Sequence, residues 1–474
     1  MKEYIKLAWR NIWRNKRRTL ITAASIFFAV LIAIMMRSFQ LGSYGNMIDN
    51  FVESYSGYIQ VQHDDFWEKR SINNTIEFTD SLQQKISDTK NVKAVFPRLE
   101  SFALASSGNS TKGAIVMGII PEKENEMTRA EDKIVKHRLT KPVIDSLKNN
   151  ENLPPDLMKR MNEREDKSFT GKEDLKIHLG LEDYENADEY LSIIDNYSAF
   201  DGEYLKAGEN AVLVADKLAK YLNITVGDTL ILISQGFHGV SASGLFPVKG
   251  IISLPNPELN RSFIYMPLSI AQEFYSAYNR ITSLAINVNN NDYKQIVTTK
   301  NAIQEQLDPQ EFAVMDWKEM NPELVQQIES DNTSGKLMIG ILYLIIAFGI
   351  FSTVLMMTAE RQREFGVMIA VGMQKLKLAG IVVIELIFIG ILGTVSGMLA
   401  SIPGIIIGHN NPVRLSGELA ESMESFGMEP VMPFALIDTY FFNQALVVMV
   451  IILVVIIYPV YSITKIKEID ALRA

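Results

Sequence analysis

Four runs of apolar residues constrain this chain more than any other feature. A hydrocarbon layer about 30 Å thick is crossed by roughly 20 apolar residues in helical form. Leu20–Met36 holds 17 residues without a charge, and Arg37 at its far end can extend it by snorkelling. Leu337–Thr358 carries no charge between Lys336 and Glu360. Leu378–Gly408 is longer and is interrupted only by Glu385, and Ala445–Tyr461 extends upstream through Phe441. Core helices of soluble proteins rarely run this long without a polar face. The runs therefore read as transmembrane helices over 20–40, 337–358, 378–408 and 441–462.

The flanking charges orient them. Lys2, Lys6, Arg10, Arg14, Lys16, Arg17 and Arg18 face only Glu3 in the segment 1–19, a basic N-terminal helix. Residues 359–377 hold Arg361, Arg363, Lys375 and Lys377, and the tail 463–474 holds Lys465, Lys467 and Arg473. The loop 409–440 has Arg414 against Glu418, Glu421, Glu424, Glu429 and Asp438. The positive-inside rule then makes both termini and 359–377 cytoplasmic, and puts 41–336 and 409–440 outside. No small-residue cleavage site follows the first run cleanly, so it reads as a retained anchor rather than a signal peptide. The fold expected is a multi-pass α-helical membrane protein with a large α+β extracytoplasmic domain between its first and second spans.

Within 41–336, an amphipathic continuation of the first helix (Leu41–Tyr55) leads into short strand-like runs. These are Gly57–Gln62, Val92–Phe96, Phe102–Ala105 and Ala114–Ile120, the last two joined by a turn at Ser106–Ser110. Strand signals return at Ala211–Val214, Leu230–Ile233, Phe246–Ile252, Ser262–Met266, Ser283–Val288 and Ala313–Met315, with helices at Asp216–Leu222 and Tyr293–Leu307. Two lobes are expected around a stretch, 121–200, whose charged helix-like sequence shows no sustained apolar face and reads as a solvated insertion. Trp317–Ser334 reads as a helix running into the second span.

Much chemistry is excluded. The 474 residues include no cysteine, which removes disulfides, thiolate metal sites and cysteine nucleophiles. The 46 basic and 55 acidic side chains leave a net charge of −9, unsuited to the wide basic surface of a nucleic-acid binder. No phosphate-cradling G-x-x-x-x-G-K-[ST] loop and no G-x-S-x-G elbow is present. His63, His137, His178, His238 and His409 show no metal-ligand spacing. The expectation is no catalytic, cofactor-binding or metal-ligating residue on this chain.

Two membrane features remain. Glu385 is the one acid inside an apolar run, and reads as an interfacial anchor or the partner of a neighbouring helix rather than a proton relay. Gly393, Gly397 and Ser401 put small residues on one face of the third span, for close packing against its own bundle or a second protomer. The loop Ala359–Lys377 is more telling. Helical spacing groups Phe365, Met368 and Ile369 on one side and Glu360, Arg361 and Glu364 on a polar side. Such an element is either a membrane-surface linker or a coupling helix received by a cytoplasmic ATPase.

Glu360-Arg361-x-Arg363-Glu364-Phe365-Gly366-Val367, followed by Ala370-Val371-Gly372, resembles the E-R-x-R-E-[IF]-G-[VI]-x-x-A-x-G signature of FtsX-like ABC permeases, the MacB and LolC/LolE superfamily. The tail Tyr458-Pro459-Val460-Tyr461 with Ile469-Asp470-Ala471-Leu472-Arg473 is similar to that family's closing motif, with Ile469-Asp470 in place of the common Asp-Pro. Gly57-Tyr58-Ile59-Gln60-Val61, Gly118-Ile119-Ile120-Pro121 and Val248-Lys249-Gly250-Ile251 are similar to its periplasmic domain, while 121–200 aligns least well.

The resemblance implies a bacterial inner-membrane permease subunit that is not itself an enzyme. Its partners would be a cytoplasmic ABC ATPase dimer, which binds the ATP and Mg, and a second permease protomer in a homo- or heterodimer. Glu360, Arg361, Arg363, Glu364, Phe365, Gly366, Met368, Ala370 and Gly372 would form the coupling element, with Glu360, Arg361 and Glu364 contacting the ATPase and the glycines making tight turns. The four-span layout without a fused ATPase looks closest to the lipoprotein-releasing permeases, which hand a lipoprotein to a periplasmic carrier. The alternatives are a MacB-like mechanotransmission pump working with an adaptor, and a regulator of a periplasmic hydrolase.

Overall fold

The computed structural model describes residues 2–14, 16–108, 110–148, 150, 152–415, 419, 422–423 and 431–466. Glu418, Glu421, Glu424 and Glu429, the cations Lys467 and Arg473, and the closing motif 469–473 lie outside the described residues. The chain divides into two units, one of residues 1–46, 325–415 and 431–474, the other built on 47–324.

The first unit is helical: α1 (Lys2–Arg14), α2 (Lys16–Phe51), α3 (Pro322–Glu360), α4 (Gln362–Ala370), α5 (Lys375–Asn410) and α6 (Thr439–Lys465). Of these α2, α3, α5 and α6 are long and apolar enough to cross a membrane. Each outruns its apolar segment, because an apolar run marks hydrocarbon thickness whereas a helix continues through any residues with adequate propensity. The helix expected over Trp317–Ser334 is broken: Trp317–Met320 forms one turn under an Asp316–Glu319 capping box, and α3 starts anew at Pro322.

Ile26, Val30 and Ile34 of α2, Ile350 and Val354 of α3, Leu386 and Ile389 of α5, and Val448 and Ile452 of α6 form one core. Leu337, Ile341 and Phe348 of α3 and Leu446, Val454 and Ile457 of α6 face outward. Helices apolar on every side suit a protein core or a membrane span. The small-residue face of α5 receives α2 of the same chain. A Cβ on Gly393 would lie 2.7 Å from that of Ile26, and one on Gly397 would lie 2.7 Å from the Phe27 carbonyl oxygen. Ser401 is fully buried and bonds to its own helix, donating to the Met398 carbonyl at 2.8 Å. Arg37 at the end of the first apolar run is hydrogen-bonded within the helical unit. Its guanidinium donates to Gln40 at 2.6 Å and to Asn332 of α3 at 2.9 Å, and the Tyr44 hydroxyl donates to Asp331 at 2.6 Å.

The second unit is built on nine strands: β1 (Ile59–His63), β2 (Val92–Ser106), β3 (Thr111–Ile119), β4 (Val212–Ala215), β5 (Thr229–Gln235), β6 (Ser241–Ile252), β7 (Phe263–Pro267), β8 (Ser283–Val288) and β9 (Phe312–Asp316). Their order is β9-β1-β8-β2-β3-β7-β4-β6-β5, and β5 pairs back onto β2. The long strand β2 serves two lobes. Residues 92–98 pair antiparallel with β8, while 99–106 pair with β3 and 104–106 also with β5. The ring β2-β3-β7-β4-β6-β5 is thereby closed, which leaves it without an edge.

The insertion differs from its expected character. Its first helix, Pro121–Thr128, places Glu124 beneath the sheet. Beyond it Leu139, Ile144, Leu147, Leu157, Met161, Phe169, Leu175, Leu179 and Ile194 form a core of their own. Each short helix contributes only one or two of these residues, so no window displays an apolar stripe even though the assembly has a dry centre. The His137–Ala199 bridge closes the base of the excursion.

Candidate functional site

The charged turn between α3 and α5 is where the sequence signature folds into a distinct structure. α3 ends at Glu360, and Arg361 leaves helical geometry (φ −97°, ψ 5°) before α4 begins at Gln362. That break turns the Arg361 side chain inward. It is 3% exposed, and its Nη1 lies 2.9 and 2.7 Å from the two oxygens of Glu385, itself 2% exposed on α5. Arg361 was expected on a polar side with Glu360 and Glu364, whereas its side chain is buried against Glu385 while Glu360 and Glu364 are exposed. The helix-partner reading of Glu385 is the one the geometry follows. In a low-dielectric surround such a pair is favourable only when geometry and hydrogen bonding are good, and removing one member strands the other.

The pair extends outward. Arg361 Nε lies 3.4 Å from the Glu364 carboxylate, and Glu364 accepts from Arg14 of α1 at 2.9 Å. The Arg361 guanidinium also sits 5.2 Å from the centre of the Phe365 ring. Phe365, Gly366 and Ile369 are buried and Met368 is half-buried, so the apolar side predicted for α4 packs into the bundle. Glu360, Arg363, Glu364 and Ala370 are exposed.

The two signature glycines differ. Gly366 lies within α4 and is not a turn residue. Gly372 has φ +103°, donates to the Ile369 carbonyl at 2.9 Å, and is followed by Met373 donating to Met368 at 3.0 Å. This double closure caps a helix through a left-handed residue, which glycine adopts at least cost. Sequence reasoning missed the apolar part of the outer surface: Val367, Val371 and Leu376 are exposed, Val371 by 85%. The i, i+4 step from Arg363 through Val367 to Val371, opposite Phe365 and Ile369, was the available signal.

A second buried polar cluster lies in the α+β unit. A π-helical turn, Val52–Ser56, delivers the chain from α2 to β1. Arg98 of β2 donates to the carbonyl of Tyr55 in that turn, and to Glu124 at 3.1 and 2.6 Å. The Tyr55 hydroxyl donates to Glu100 at 2.8 Å, with Arg70 at 3.5 Å on the far side. Burial raises the Glu100 carboxyl above its ordinary value, which Arg70 and Tyr55 only partly offset. Among the described residues no group of three or more His, Cys, Asp or Glu is placed to hold a metal ion.

The structure thus combines four long apolar helices, two of them joined through the charged, capped turn, with a sizeable α+β domain. Residues 336–467 match the FtsX-like permease C-terminal family. It is 21% identical over 203 residues to the lipoprotein-releasing system transmembrane protein LolC of Xylella fastidiosa, in strains Temecula1 and 9a5c, a match covering 42% of this chain and 48% of each relative. The chain thus spans about half the length of the curated relatives it matches. Among solved structures, the periplasmic region of MacB from Actinobacillus actinomycetemcomitans is 14% identical, with 57% of this chain and 92% of that one covered and a TM-score of 0.30. The extracellular domain of the transporter YknZ from Gram-positive bacteria is 11% identical, with 54% and 99% covered and a TM-score of 0.28.

Proposed function

We propose that this protein is the permease subunit of an ABC transporter that releases lipoproteins from the bacterial inner membrane. A separate cytoplasmic ATPase dimer supplies ATP hydrolysis, and a second permease protomer completes the membrane part. The observation that carries the reading is the FtsX-like match over 336–467, which contains the anchored helix α4. The likeness to LolC supports the choice of substrate. The positive-inside rule puts both termini and 359–377 in the cytoplasm and the α+β domain in the periplasm.

In this reading the ATPase receives Glu360, Arg363 and Glu364 together with the apolar spots Val367 and Val371. The Arg361–Glu385 pair makes α4 move with α5. Periplasmic domain movement then hands the acylated protein to a carrier. The test pairs two measurements on the complex with its ATPase in proteoliposomes: ATP hydrolysis and lipoprotein release. Val371→Glu should leave hydrolysis within about threefold while release falls tenfold or more, an uncoupling equal to about 1.4 kcal/mol or greater. Undiminished release in that variant overturns the coupling assignment. Depletion of the protein should retain lipoproteins in the inner membrane; drug sensitivity with normal sorting overturns the substrate in favour of an efflux role.

A further inference from the structure

The first unit contains a cavity that the permease reading does not use. It has a volume of about 760 Å³ and lies between the α1–α2 corner and the charged end of α3. The corner is fixed by Thr19, whose hydroxyl donates back to the Ile12 carbonyl at 3.0 Å. It presents Lys16 and Arg17 to the cavity beside Glu360, together with Arg14, whose guanidinium is already paired with Glu364 at 2.9 Å. One turn further along α2 the lining becomes apolar at Ile21, and on the facing wall Met357 and Met356 succeed Glu360. The cavity therefore passes from cationic to mainly apolar, with Thr22 and Thr353 as the hydroxyls on that side, over about 6 Å along the helices, the rise of four residues.

That gradient selects an occupant. A soluble anion would satisfy the cations and leave the methionine wall bare, whereas a neutral lipid would fill the wall and leave Lys16 and Arg17 against Glu360, Arg14 being paired with Glu364. A molecule carrying a single negative phosphodiester on an acyl body satisfies both. Ile21 and Met356 are more than half exposed, so an acyl chain entering here continues onto the lipid-facing surface. Basic pockets between membrane helices bind anionic headgroups on these terms. We propose that the cavity is a binding site for an anionic phospholipid of the phosphatidylglycerol class, with the phosphodiester at Lys16 and Arg17 and an acyl chain along Ile21, Met356 and Met357. The inference goes beyond the proposed transport function and needs only that the four apolar helices lie in a bilayer.

Trp13 lines the cavity and serves as the reporter. The full chain in non-ionic detergent would be titrated with acyl-brominated phosphatidylglycerol, acyl-brominated phosphatidylcholine and glycerol phosphate, following indole fluorescence. Phosphatidylglycerol should quench saturably, at about tenfold lower concentration than phosphatidylcholine, and Trp13→Phe should remove that component. Lys16→Glu with Arg17→Glu should weaken the phosphatidylglycerol response about tenfold or more, and Lys16→Arg with Arg17→Lys should preserve it. The conservative pair keeps the test decisive if the reversed pair does not fold. Equal affinity for the two lipids overturns the proposal. So does displacement by glycerol phosphate at matching concentration, which would mark a free-phosphate site. Lipid affinity left intact in the reversed pair would show that Lys16 and Arg17 do not hold the headgroup and would also overturn it. No ATPase or lipoprotein enters the titration, so failure here and failure of the transport reading are read separately.

Discussion

Arg361 cannot leave its position without stranding Glu385 in the bundle core. Arg361→Ala or Glu385→Ala should therefore each destabilise the bundle by about 3–5 kcal/mol, and the exchanged pair Arg361→Glu with Glu385→Arg should recover part of the loss. Thermal unfolding of the four proteins in one detergent measures this, and strictly additive losses would show that the contact carries no coupling. Half of the pair was legible in sequence: an acid alone in an apolar run asks for a partner. The other half depends on the helix break at Arg361, which lies 24 positions upstream and among three other charges. Glu100 permits a test with a pH axis. Its folded carboxyl titrates above the ordinary glutamate value near 4.5. Between those two values the folded state holds more protons than the unfolded one, so stability falls as pH rises through the window. Glu100→Gln should flatten that slope in pH-dependent denaturation of the protein, and an unchanged slope would remove Glu100 as its source.

At the scale of elements, helix contacts were legible where geometry left one solution. The stripe Gly393–Gly397 announced a close approach, and α2 of the same chain fills it with backbone, at 2.7 Å from a hypothetical Cβ on Gly397. Gly397→Val should cost about 1–3 kcal/mol through the forced separation of α2 and α5, seen as a lowered midpoint in detergent unfolding. Strands in the α+β unit were legible because period-two alternation and turn residues coincide, and the helix Asp216–Leu222 falls where its pattern put it. The insertion was illegible for the converse reason. Its core is pooled from helices of 7 to 12 residues, too short for any to show a stripe alone. The short strand His137–Arg138 and the residue Ala199 meet at its base, so a short Gly-Ser linker replacing 139–198 should leave the nine-stranded fold intact. Retained strand content by circular dichroism in detergent would support independent folding, and its loss would show that the sheet depends on the insertion.

For the molecule as a whole, topology follows from a few local decisions, and one of them has a mechanical meaning. The chain enters the sheet from α2 through β1 and leaves it for α3 through β9, and these two strands are antiparallel neighbours with Ile59 opposite Asp316. Trp317 adds a further rung by donating to the Tyr58 carbonyl at 3.0 Å. Both covalent leads thus meet one ladder at the same end. A pull shared by α2 and α3 carries β1 and β9 in step and leaves their hydrogen bonds unloaded. A counter-movement, one lead advancing while the other retreats, stresses every rung together, so the ladder resists as a block rather than opening like a zip. The sheet is stiff toward disagreement between its two leads and compliant toward their agreement, and the strand pairing itself makes that distinction.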